Sequence, residues 1–186
     1  MKLRYFALLI IAIFIISALY GYFTTSKEAE GLNVFEVYKV VIDKDPTLIS
    51  FALIIFLNNV KVAILSIILG PTLIVPVAIM AFNGVILGQA IAVNTAQGMP
   101  LTNILLLILP HGVIELTAFV LSNSIGLYLG IQSLRKYVLR RKEISLINEL
   151  YGLMKYIKIT LILLMIAALI EAYVTYAIAL LLSAHK

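Results

Sequence analysis

An all-α membrane protein with about five transmembrane helices is what this sequence predicts, on three observations. Apolar residues make up 63% of the chain and charged ones 12%, about half of the ~25% usual in soluble domains. Several windows reach the roughly 20 apolar residues that span ~30 Å of hydrocarbon. The runs are continuous rather than alternating, which excludes a β-barrel. Cysteine is absent, so disulfides, Cys-ligated zinc and iron–sulfur clusters are excluded. The net charge of +5 sits beside membrane segments, as the positive-inside rule describes, and does not point to nucleic acid. No Walker loop, dinucleotide fingerprint or soluble catalytic domain is visible, so residues 1–186 are expected to form one transmembrane domain.

The first span is expected from Phe6 to Phe23, after Lys2 and Arg4. Its basic start resembles a signal peptide. The apolar run is long for one and Ser17-Ala18-Leu19 is a poor cleavage site, so a retained signal anchor is expected. Polar residues 24–46 complete an N-terminal unit, 1–46, as an outer loop. Leu32, Phe35, Tyr38 and Ile42 recur there at helical spacing, which suits a segment along the interface. Asp45-Pro46-Thr47 reads as a helix start.

Residues 47–131 form the expected core. The second span runs from Thr47 to Leu69 and is broken by Gly70 and Pro71. The third runs from Thr72 to Thr95 and ends at Gly98-Met99-Pro100. From Leu101 to Gly130 the chain is apolar for about 30 residues, ~45 Å of helix and too long for one upright span. Pro110 and Gly112 offer a break, and the expectation is a half-helix, a kink and a full helix from Val113 onward. Residues 132–158 carry Arg135, Lys136, Arg140, Arg141, Lys142, Lys155 and Lys158 against Glu143 and Glu149. They are expected to form a basic amphipathic cytoplasmic helix on an anionic membrane surface. The final segment, 159–186, supplies a last span from Ile159 to Leu182.

Cation placement sets orientation. Lys2 and Arg4 inside, the acidic 24–46 loop outside and the basic 132–158 segment inside all agree with five spans. They place the N-terminus in the cytoplasm and the C-terminus outside. Two small-xxx-small pairs, Gly84/Gly88 and Gly126/Gly130, allow close helix contact, either within one subunit or at the face of a homo-oligomer.

The spans also hold polar residues that hydrocarbon does not tolerate cheaply. His111 and Glu115 are four apart, on one helix face, within Pro110-His111-Gly112-Val113-Ile114-Glu115. A charge at a helix centre in a bilayer costs at least ~2.5–3.5 kcal/mol. Asn58 and Asn59 lie about mid-span in the second helix, Asn83 in the third and Glu171 in the fifth. Glu171 has no cation in its own span; His111 and Lys61 are the candidates elsewhere. Four helices thus bring polar atoms to similar depth.

These residues carry a resemblance. Phe56-Leu57-Asn58-Asn59-Val60-Lys61, then Gly70, then Asn83-Gly84 with Gly88, then Pro110-His111-Gly112-Val113-Ile114-Glu115-Leu116, then Ile170-Glu171-Ala172, looks like the stage II sporulation protein M family. The similarity covers about residues 45–182. The family takes its name from a bacterial protein of forespore engulfment that acts with peptidoglycan-remodelling partners. The resemblance implies Asn58, Asn59, Asn83, His111, Glu115 and Glu171 as a polar core and supplies no known reaction.

Three readings of that core follow. As a metal or ion site, His111 and Glu115 ligate one ion, Glu171 is a third ligand and Asn83 orients a water or ligand. A single histidine with oxygen donors suits zinc or manganese. A transporter or channel places such a site near the midplane at a broken helix. This favours ion or small-solute translocation, or its regulation. As a metal-dependent intramembrane hydrolase, Glu115 or Glu171 would act as base, although a two-histidine HExxH pair is missing. As helix glue, the same groups hydrogen-bond to one another, at about 0.6 kcal/mol per bond. A non-catalytic scaffold that recruits protein partners is compatible with each.

Overall fold

The computed structural model describes residues 3–25 and 47–184. The expected interfacial helix around Leu32–Ile42 and the helix start at Asp45-Pro46 lie outside the described residues. The described residues build α1 (Leu3–Thr24), α2 (Leu48–Ile68), α3 (Ile74–Ala96), α4 (Leu101–Tyr137), α5 (Leu146–Leu169) and α6 (Tyr176–Ala184). A 3-10 turn, Gly70–Thr72, separates α2 from α3, and a π-helical turn, Ile170–Thr175, joins α5 to α6 without interruption. The result is five rods long and apolar enough to cross a membrane. Helices are the form that satisfies every backbone N–H and C=O without water, as hydrocarbon requires. Local signals set the ends. Thr47 Oγ1 accepts from the Ser50 amide to cap α2, and Ser145 Oγ accepts from Asn148 to cap α5.

Close approach comes from glycine. A Cβ at Gly84 would lie 2.6 Å from the Phe14 carbonyl oxygen, and one at Gly88 would strike the Ala18 carbonyl and the Tyr22 amide. Gly21 of α1 meets the Val85 backbone in the same way. The α1 and α3 backbones therefore touch, as small residues permit when no hydrophobic effect drives helices together. Gly126 and Gly130 of α4 let in the Ser66 and Gly70 carbonyls at the end of α2. Ser66 Oγ then donates to Asn123 Oδ1 at 2.8 Å, and Asn123 Nδ2 donates to the Phe119 carbonyl at 2.7 Å. Both small-residue pairs are thus used inside one chain.

α4 is the hub and touches every other rod. Its first half packs Ile104 and Leu107 with Phe51 of α2 and with Ala172 and Ala179 of the last rod. Its middle packs Ala118 and Phe119 with Ile10, Met80 and Leu164.

Two expectations are corrected here. The fourth span does not break at Pro110 and Gly112; Leu101–Tyr137 is one helix of 37 residues with Pro110 inside it. Proline removes one donor from the ladder, leaving the Leu106 carbonyl without its usual partner. Packed neighbours on both sides of the proline hold the rod together. At about 1.5 Å per residue the helix is ~55 Å long, so its excess length lies beyond the ~30 Å apolar layer.

The second correction concerns residues 132–158, which do not form a separate helix. They divide between the end of α4, a turn at 138–145 in which Arg140 takes φ 53, and the start of α5. Leu153 docks against Ile125 and Leu129, and Tyr128 Oη donates to Glu149 Oε2 at 2.5 Å. Contacts with α4 extend the last rod downward by three turns and more.

The glycine contacts predict a contrast. Gly88→Ala destabilises the protein by about 1–3 kcal/mol, because its methyl meets α1 backbone that cannot swing aside. Gly112→Ala meets Ile108 Cγ2 at 3.4 Å and gains helix propensity, so it is neutral or up to ~1 kcal/mol stabilising. Unfolding in detergent, followed by circular dichroism, reads both; equal effects contradict the packing described.

Candidate functional site in the bundle core

The site begins with an antiparallel pairing. α4 and the last rod run in opposite directions, so residue numbers that rise along one fall along the other. His111 and Glu115 are one turn apart on α4, and Glu171 and Thr175 one turn apart on the π-helical turn. The register sets His111 against Thr175, with the imidazole Nδ1 3.0 Å from Thr175 Oγ1. It sets Glu115 near Glu171, close enough for their charges to repel. One ligand atom from each of His111, Glu115 and Glu171 can be chosen so that all three lie within 4.8 Å of one another. All three residues are half-buried.

The π turn is the local device that supplies the second wall. Its i→i+5 bonding widens the helix for one turn, and such turns occur often at functional sites. Thr175 is fully buried and Ala172 packs in the core, so the widened turn faces inward. The irregular stretch at the site is this turn in the last rod, not Pro110.

Asn59 of α2, buried at 8% exposure, hydrogen-bonds to the Glu115 carboxylate. Asn59 also fixes the depth of the site. It lies one residue from the middle of α2, about 1.5 Å along the axis. On the opposite side of His111 and Glu115 lies a partly open cavity of about 340 Å³ between α1, α3 and α4. Phe14, Asn83, Leu87, His111 and Glu115 are among its walls. Asn83 holds the Ile79 carbonyl through Nδ2 at 2.8 Å.

The expected residues therefore separate. His111, Glu115 and Glu171 come together, Asn59 joins them, and Asn83 lines the adjoining cavity. Asn58 is exposed on the outer face of α2, as is Lys61, so Lys61 does not face Glu171. Pro110 and Gly112 neighbour the histidine within an intact helix. Gly84, Gly88, Gly126 and Gly130 serve packing. Thr175 was not anticipated; its i,i+4 spacing from Glu171 repeats that of His111 and Glu115 and is the signal that marks it.

Chemically, two carboxylates and a neutral imidazole carry −2 when ionised. No lysine or arginine among the described residues is recorded with them in a salt bridge. The set is neutralised by protons or by a cation.

A family model described as Stage II sporulation protein M matches residues 10–176, a range that includes every residue of the site. An uncharacterised protein of Methanocaldococcus jannaschii is 37% identical over 101 residues, covering 54% of this chain and 56% of that protein. The chain thus spans about half the length of the curated relative it matches. No solved structure matches.

The register predicts energetic coupling across the helices. A double-mutant cycle with His111→Ala and Thr175→Val gives about 0.6 kcal/mol and at most ~1.7 kcal/mol. The same cycle with Asn58→Leu in place of Thr175→Val gives none. Coupling to Asn58 and not to Thr175 contradicts the pairing.

Proposed function

The chain belongs to the stage II sporulation protein M family, and we propose that in it His111, Glu115 and Glu171 bind a divalent cation at mid-bilayer, through which the protein passes an ion or small solute or regulates that passage. The convergence of the three ligand atoms within 4.8 Å, from two antiparallel rods, carries this reading. Charge supports it, because −2 on the ligand set matches a divalent ion. With Nδ1 held by Thr175 Oγ1, Nε2 is the nitrogen left for the cation. Ligands around tetrahedral zinc stand roughly 3.3–3.5 Å apart for bonds of ~2.0–2.1 Å, so the set contracts by up to about 1.5 Å on binding. Three protein ligands leave a position open for water or solute. One imidazole with oxygen donors suits zinc or manganese.

Exchange follows from electrostatics. In hydrocarbon the two carboxylates are neutralised by protons or by the cation, so loading one displaces the other. Transport and proton movement are coupled at a single site, and the adjoining cavity with Asn83 on its wall is the approach to it. A lipid- or peptide-cleaving hydrolase is the second reading. The cavity favours it, since its Phe14, Leu87 and Leu116 walls suit an acyl chain or apolar peptide beside Glu115.

Purified protein is expected to hold about one zinc or manganese per chain by elemental analysis. His111→Ala loses it while its helicity stays unchanged. Thr175→Val, which removes only the group that orients the imidazole, weakens binding about 10–100-fold. Affinity falls on acidification, because protons compete for the same atoms. In proteoliposomes, cation flux that depends on His111 and moves protons the other way supports exchange. Lipid or peptide cleavage without flux favours the hydrolase, and a wild type that never binds metal contradicts both.

A further inference from the structure

Among the described residues Lys61 is the one lysine or arginine in the middle of a span, and it faces outward. It lies three residues past the centre of α2, about 4.5 Å along the axis and ~10 Å short of the helix end. Helical Cα–Cβ bonds tilt toward the N-terminus, so its stem starts away from the nearer surface. Asn58, one turn earlier on the same face, is also exposed. Around them the face is apolar, with Ile54 63%, Leu57 55%, Leu65 45% and Ile68 66% exposed. A lone ammonium and an amide set in an apolar helix face at this depth are the pattern of an intramembrane helix contact.

No carboxylate of the described residues supplies the counter-charge. Among the described residues the carboxylates are Glu115 and Glu171, which face each other in the core, Glu149, which holds Tyr128, and exposed Glu143 in the 138–145 turn. None stands at the depth and face of Lys61. A second copy meeting this face symmetrically would bring lysine against lysine. We propose that the Asn58/Lys61 face of α2 docks a transmembrane helix of a different protein that carries an aspartate or glutamate at matching depth. The carboxylate accepts from Lys61 Nζ, and Asn58 completes the polar contact. The inference is independent of the metal reading, since Lys61 and the triad lie on different faces.

The test uses the full chain in lipid vesicles with polyleucine-based transmembrane peptides that differ at one central position: aspartate, asparagine or leucine. Energy transfer between labelled protein and peptide reports association. Wild type is expected to prefer the aspartate peptide to the leucine one by about tenfold. Lys61→Met abolishes the preference and Lys61→Arg keeps it. Should Lys61→Met not fold, Lys61→Asp with a lysine-bearing peptide restores association by exchanging the charges. Equal association of aspartate and leucine peptides overturns the proposal and leaves a lysine that snorkels to lipid headgroups. A preference that survives Lys61→Met places the acceptor elsewhere and overturns it too. Equal binding of asparagine and aspartate peptides removes charge recognition and likewise overturns it.

Discussion

Hydrocarbon supplies no water, so a polar group inside a span must find its partner in the protein or in a molecule packed against it. This constraint organises the chain at each level. It makes the backbone helical. It places Asn59 on Glu115 and Thr175 on His111. It ties Ser66 to Asn123 at a helix crossing where Gly126 and Gly130 admit the neighbouring carbonyls. Where the demand is met by one hydrogen bond, the result is architecture. At His111, Glu115 and Glu171 hydrogen bonds leave two carboxylates facing each other, a pair that only protons or a cation can neutralise.

The scaffold around the site explains why it stays put. α4 touches every other rod, and the core on either side of His111 is packed, so the imidazole sits on a supported element despite Pro110. Glu171 and Thr175 sit on the widened turn, which Ala172 and the fully buried Thr175 anchor in the core.

Much of the fold was legible in the sequence because hydropathy and length translate directly into spans. The five rods, the turns at Gly70-Pro71 and Gly98-Pro100, and membership of a membrane-protein family followed from runs and motifs. The site was legible in part. Intramembrane charge flagged His111, Glu115 and Glu171. Rotation about a helix axis was not encoded in adjacent letters: Asn58 and Asn59 are neighbours about 100° apart, and only Asn59 turns inward. Proline advertised a break that packing overrode. The π turn has no comparable signature, and the i,i+4 spacing of Thr175 from Glu171 takes on meaning only with the antiparallel register that sets it against His111. The basic stretch 132–158 looks like one amphipathic helix because its apolar positions recur, yet a turn at 138–145 divides it, and in the α5 part Leu153 packs on α4 while Ile147 and Tyr151 stay exposed.

X-ray absorption spectroscopy of the zinc-loaded protein reads the ligands themselves and not the consequences of binding. One imidazole nitrogen and carboxylate oxygens at about 2.0–2.2 Å are expected, with the imidazole signature lost in His111→Ala. A first shell of water oxygens alone, or an imidazole signature unchanged in His111→Ala, would contradict that ligand set.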